Sequence, residues 1–282
     1  VIIARLGSVA LASGNAVTLQ LSDKSLVKVQ VDEGVINGLI ENKSLVKADG
    51  GLVVMTSKAA NSLAESVIQN SGTIRAQTIE NQSGRILLIG DMSSGKLNVD
   101  GTLDASAPAK GDGGFIETSA AKVKIANSTL VTTKAQQGKT GKWLVDPHDY
   151  TVASSGGDQT GAQLSASLES TNVELQSAKG SQIGSGDVNI NDAVTWAAGN
   201  TLTLTASNNV NVNANILATG VSAGLVINSN TSNQNGGNLA EAASGSGMFN
   251  LKTGVSIGLP SVSPSSATAL VINGNPYSVI NS

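Results

Sequence analysis

The chain has 282 residues, 40% hydrophobic but only 2% aromatic and 13% charged, with 32 glycines and no cysteine. An average globular domain carries about 25% charged residues, and the lack of cysteine excludes a disulfide framework, a thiolate metal site and a cysteine nucleophile. The net charge of −3 is unevenly spread: residues 1–142 hold 15 Lys and Arg against 12 Asp and Glu, and residues 143–282 hold 2 against 8. Neither half is basic enough for a nucleic-acid footprint, and no apolar run approaches the roughly 20 residues of a membrane-spanning helix.

From the start, Leu6-x-x-Val9-x-Leu11, Val17-x-Leu19-x-Leu21 and Val27-x-Val29-x-Val31 alternate apolar with polar residues. This predicts three successive short strands, each one face of a coil, with Ser13-Gly14-Asn15 and Ser22-Asp23-Lys24 as corners. A phrase then recurs, centred on Leu45, Ile74, Leu103 and Leu130. Each copy is followed by a glycine-led strand: GGLVVM, GRILLI, GGFIET and GKWLV. An insertion at 59–66 has helical composition and is expected to be a surface loop or one helical turn. In 111–147, Phe115, Val123, Ile125, Leu130, Trp143 and Val145 keep the alternation. Strands of three to five residues, with corners unlike tight Asn-Gly hairpins, predict a parallel β-helix.

At this point the residues resemble a family. GGFIETSAAKVKI followed by GKTGKWLVDP resembles the signature of filamentous-haemagglutinin-like exoproteins of Gram-negative two-partner secretion systems. The resemblance implies a secreted or cell-surface, right-handed parallel β-helix serving adhesion or matrix scaffolding, exported through an outer-membrane transporter and meeting host-surface or matrix glycans or proteins. It makes 1–150 a β-helix continuing from the haemagglutinin-type secretion domain. The family's Asn-Pro-Asn motifs are missing, so the part read by the transporter is expected upstream of Val1.

Residues 151–186 read as an irregular junction with a short helix, in which Leu164 and Leu168 share a face and Thr160 caps. From 187 to 282, β-helix coils resume with a repeat of about 22 residues: Val188 with Val210, Ile190 with Val212, Val194 with Ile216, Trp196 with Ala218, then Leu202 with Leu225 and Leu204 with Ile227. Phe249 with Leu251, and Val255 with Ile257, continue the pattern weakly. Residues 229–247 read as a polar loop, and NGNPYSVINS as the passage to a further module. VIIARLGSVAL has no basic start or small-residue cleavage site, so the chain is expected to be a monomeric rod within a longer protein.

Six inward Val, Ile or Leu side chains return about 1.5–3 kcal/mol each on burial, against about 1–2 kcal/mol of backbone entropy for each of some 22 residues. One coil is therefore unstable alone and must stack on its neighbours.

The candidates for chemistry are few. Asp146-Pro147-His148-Asp149 places the single histidine between carboxylates, but Asp-Pro is equally a turn former and a metal site needs more ligands. Glu117, Lys122 and Lys124 read as solvated outward positions. Gly111-Asp112-Gly113-Gly114 precedes a strand, so it offers no helix N-terminus to a phosphate. Asn42, Asn81, Asn127 and Asn230 begin Asn-x-Ser/Thr triplets, and Trp143 and Trp196 are expected inside. The expectation is an all-β solenoid with short loop or helical excursions, structural and binding rather than enzymatic, with no catalytic, cofactor-binding or metal residues and no cofactor. The alternatives are a β-helical polysaccharide-active enzyme, for which Gly-His-Gly, paired Asp-Asp and Arg-x-Lys are lacking, or part of the transporter-recognition domain.

Overall fold

Alternation at period two requires each short strand to bury one face, and a strand of three to six residues buries too little to stand alone. The computed structural model, which describes residues 1–22, 25–178, 184–231, 247–260 and 269–277, solves this by adding each strand in parallel to one from the preceding repeat. The chain is nearly all β, and it divides into two compact units, Val1–Asp146 and Pro147–Ser282. The predicted corner at Asp23-Lys24, most of the 229–247 loop and the last five residues lie outside the described residues.

In the first unit, successive strands fall in rotation into three sheets. One contains Ile2–Ile3, Leu45–Lys47, Thr73–Arg75, Thr102–Asp104 and Leu130–Thr132. A second contains Ser8–Ser13, Leu52–Ser57, Arg85–Ile89, Phe115–Ser119 and Lys142–Asp146, and a third Gly38–Asn42, Ser66–Asn70, Lys96–Val99 and Lys122–Ile125. All pairings in these sheets are parallel, and the register carries apolar side chains into continuous buried rows: Val53, Ile86, Ile116, Trp143; Val46, Ile74, Leu103, Val131; and Ile40, Ile68, Leu97, Val123.

The glycine leading each strand of the second sheet has a steric reason. Gly7, Gly51, Gly84, Gly114 and Gly141 form a column in which the amide following each glycine from Gly51 onward donates to the carbonyl of the glycine before it. A Cβ on Gly51 would lie 1.8 Å from the Gly7 carbonyl oxygen, and one on Gly141 2.0 Å from that of Gly114. Close passage of one backbone over another excludes any side chain there.

The second unit repeats the arrangement. Asn172–Ser177, Thr201–Ala206, Gly224–Asn228 and Leu270–Ile272 pair in parallel, and Asn275–Tyr277 closes that sheet antiparallel. Tyr150–Val152, Val188–Ile190, Val210–Val212 and Phe249–Leu251 form another sheet, and Val194–Trp196, Ile216–Ala218 and Ile257–Gly258 a third. All six of the residue pairs expected from the 22-residue repeat are register partners. Phe249 and Leu251 continue the pattern, pairing with Val210 and Val212, but the last dyad is shifted: Ile257 pairs with Ile216, the place expected of Val255, whose amide closes a turn onto the Lys252 carbonyl.

Among the described residues of 151–186 there is one helix, Gly161–Leu168, capped by Thr160 Oγ1, which accepts from the Gln163 amide, with Leu164 and Leu168 buried. The helix protects an edge: strand Val194–Trp196 is the first of its sheet, the Thr195 amide donates to Ser165 Oγ at 2.9 Å, and the Ala197 and Ala198 amides donate to the Glu169 carboxylate at 2.7 and 3.0 Å.

Two sequence expectations are corrected. Ala16–Ser22 and Ser25–Glu33 are not coil faces but an antiparallel hairpin, its apolar row left partly open at Val17, Leu19 and Leu21. Alternation specifies a one-sided strand and leaves the direction of pairing open. Leu45, Phe115 and Leu130 are not core residues, because the inward positions beside them belong to Val46, Ile116 and Val131. Of the two forms expected for the 59–66 insertion it takes the loop, turned by Asn61 Oδ1, which accepts from the Leu63 and Ala64 amides at 2.9 and 3.0 Å, and at Ser66 it enters the strand Ser66–Asn70.

Candidate binding surface

Because inward positions are taken by aliphatic side chains, chemistry is left to the outward positions of the strands and to the corners. In the second unit one outward row reads Thr151, Asn189, Asn211, Asn250. Asn250 Nδ2 donates to Asn211 Oδ1 at 2.8 Å, Asn211 Nδ2 to Asn189 Oδ1 at 2.8 Å, and Asn189 Nδ2 to Thr151 Oγ1 at 3.3 Å. A parallel step runs from Asn213 Nδ2 to Asn191 Oδ1 at 2.7 Å. Stacked identical strands bring like side chains into register, and the carboxamide suits such a stack because it is donor and acceptor at once.

In the first unit the outward groups are charged. Asp49 receives both Nε and Nη2 of Arg75, at 3.1 and 2.7 Å, with Lys47 Nζ at 3.3 Å and the Gln77 amide at 3.2 Å. Burial alone would raise the Asp49 carboxyl, but the hydrogen bonds from Arg75, Gln77 and Lys47 outweigh it and hold the group below the usual carboxylate range. Asp91 behaves alike: burial pushes up, while the Ser93 hydroxyl and the Ser93, Ser94 and Ala59 amides pull down further. Arg85 lies over the outward ring of Phe115, 5.9 Å from its centroid, a cation–π contact.

The residues singled out in the sequence do not converge. Glu117 accepts from Ser119 Oγ at 2.9 Å, and Lys122 and Lys124 are exposed on a different sheet. His148 is buried, while Asp149 clasps the entry to a strand, Oδ1 accepting from the Gly186 and Asp187 amides at 2.6 and 3.2 Å. Among the described residues no three His, Cys, Asp or Glu side chains group as metal ligands do. Gly111–Gly114 is a corner: Gly111 has φ +95°, and Asp112 Oδ1 accepts from the Lys139 amide. Trp143 and Trp196 are buried, and their indole nitrogens donate to Thr118 Oγ1 and to the Asn200 carbonyl.

Of the Asn-x-Ser/Thr asparagines, Asn42 is buried with its Nδ2 on Asn70 Oδ1 at 2.7 Å, which withdraws it from modification. Asn81 and Asn127 are exposed and Asn230 half-exposed. The buried polar chain from Tyr150 through Gln159 and Gln163 to Ser167 was not singled out, and burial raises the Tyr150 phenol well above its ordinary range. The asparagine rows have their signal in the 22-residue repeat, where Asn189 aligns with Asn211 and Asn191 with Asn213.

No family model matches the chain. The chain is similar to the heme/hemopexin-binding protein of Haemophilus influenzae, 26% identical over 81 residues. That match covers 29% of this chain and 8% of the relative's length. The relative is thus named for binding, and no helix among the described residues is long and apolar enough to cross a membrane.

Proposed function

We propose that this chain is a segment of a filamentous-haemagglutinin-like exoprotein, a right-handed parallel β-helix that holds binding surfaces out from a Gram-negative cell and performs no catalysis itself. The observation that carries the reading is the register: strands from successive repeats pair in parallel, at offsets of 26–33 residues across most of the first unit and, in the second, of 22–23 where no excursion intervenes and 29–45 elsewhere, with aliphatic rows inside and polar rows outside. Such a body stabilises itself rung upon rung and leaves its outer faces free for shallow, multivalent contact. The similarity to a heme/hemopexin-binding protein supports a surface binder. Export through a two-partner outer-membrane transporter, and host-surface or matrix glycans or proteins as partners, belong to the same reading.

The test is to present the purified chain to immobilised matrix proteins, host-cell glycans and hemopexin, and in parallel to incubate it with acidic polysaccharides. Saturable binding to a surface with no new reducing or unsaturated ends is the expected result. Release of such ends would replace the reading by a β-helical polysaccharide-active enzyme.

A further inference from the structure

We propose, resting on the reading above, that the amide rows Asn189–Asn211–Asn250 and Asn191–Asn213 form a docking site for an uncharged, hydroxyl-rich polysaccharide. A carboxamide carries two N–H donors and an oxygen with two lone pairs. Each bond along a row uses one donor of one amide and one lone pair of the next, which leaves every amide that both donates and accepts in its row with one donor and one acceptor to spare. Asn189 and Asn211 are half-exposed, and Asn191, Asn213 and Asn250 are exposed. Neighbouring strands lie about 4.8 Å apart and alternate residues of one strand about 6.6 Å apart, so the spare groups form a lattice of paired donors and acceptors.

The chemistry of that lattice selects its ligand. Sugar hydroxyls both donate and accept, so they match it, whereas carboxylates and sulfates only accept and would leave half of it unused. Charge points the same way. Asp158, Asp187 and Asp192 frame the rows: the Thr151 amide donates to Asp158 Oδ2 at 2.9 Å, Asn208 Nδ2 and the Asn209 amide to Asp187 Oδ1, each at 2.9 Å, and the Gly161 amide to Asp192 Oδ2 at 2.8 Å. The exposed Lys252, which follows Leu251 and continues the row beyond Asn213, offsets one of these three carboxylates; the remaining negative balance disfavours an anionic polymer, and carboxylates already held by the chain's own amides do not call for a cation. Tyr150 and Trp196 are buried, and the half-exposed Phe249 beside Asn250 pairs in register with the buried Val210 and so sits on the opposite side of the strand from the amide row, so affinity comes from many weak contacts repeated along a polymer.

The experiment is a titration of the isotopically labelled chain with hydroxyethylcellulose, a neutral glucan, and with alginate as the anionic comparison, read at the asparagine side-chain amide signals. The expected result is saturable shifts at Asn189, Asn211, Asn213 and Asn250 with the glucan and none with alginate. Asn211→Thr, which keeps a strand-forming residue, should weaken glucan binding at least fivefold. Should that variant unfold, the exposed Asn213→Ala, which removes that carboxamide's donors and acceptors from the lattice without touching the core, should lower binding to a similar degree. Absent shifts, equal shifts with alginate, or unchanged affinity in a folded variant would overturn the proposal. Adhesion to host surfaces that persists without glucan binding would sink this inference alone, whereas a chain that binds no surface at all would take the broader reading with it.

Discussion

The indole nitrogen of Trp143 donates a 3.1 Å hydrogen bond to Oγ1 of Thr118 on the neighbouring strand, with both residues fully buried. Thr118 occupies an inward position that its register partners fill with Leu88 and Val145, so a polar group stands in an aliphatic row because the tryptophan needs an acceptor. Thr118→Val keeps the volume and removes that acceptor. A buried donor left without a partner costs about 1–3 kcal/mol, and the urea midpoint should fall accordingly. An unchanged midpoint would show that the indole finds another acceptor.

The Asp49–Arg75 pair gives the first unit an acid limit. The folded-state pKa of Asp49 lies below its ordinary value, as does that of Asp91. Their contribution is therefore fully present above the unfolded carboxylate value of about 3.9 and is lost as pH falls through the folded values. Stability measured by urea unfolding should be flat from neutral pH down to about 5 and then decline below about 4. Asp49→Asn should lower the plateau and make the acid decline shallower, since one of the two titrating groups is gone.

Leu130 and Leu103 look equivalent in the recurring phrase, yet Leu103 is fully buried and Leu130 is 65% exposed. The register pairs Leu103 with Val131 and Thr102 with Leu130. Leu103→Ala should therefore cost about 2–5 kcal/mol, and Leu130→Ala should stay within about 0.5 kcal/mol of the parent. Equal losses in urea unfolding would return Leu130 to the core.

That pair also shows what the sequence makes legible. Where both strand residues around a corner vary in step, as at Val188 and Val210, the repeat length alone places every partner. Where two apolar residues are adjacent, as at Leu45-Val46 and Leu130-Val131, alternation does not say which one points inward, and the corner geometry decides. The hairpin at 16–33 was opaque for a related reason, since its apolar rows alternate as well as any parallel strand. Charge clusters such as Arg75 with Asp49 join residues 26 apart, a distance that only the stacking register converts into contact. The asparagine rows were readable from the same repeat as the apolar partners, because side chains that alternate with the inward residues stack at the same spacing; which amide donates to which needed the structure.

The glycine column supplies the sharpest test of that register. A Cβ on Gly114 would lie 2.1 Å from the Gly84 carbonyl oxygen, and that carbonyl already accepts from the Phe115 amide at 3.1 Å, so it cannot swing aside without losing a ladder bond. Gly114→Ala should cost about 1–3 kcal/mol by overpacking, or more if the ladder bond also breaks. Gly7 belongs to the same column but has only ordinary contacts, the nearest atom to its added Cβ being Ala4 Cβ at 3.6 Å. Gly7→Ala should thus leave the urea midpoint within about 0.5 kcal/mol of the parent. If the two variants were equally destabilised, the glycines would be required by their own backbone conformation and not by the strand that passes over them. If neither were, successive strands would not approach as closely as the ladder bonds demand.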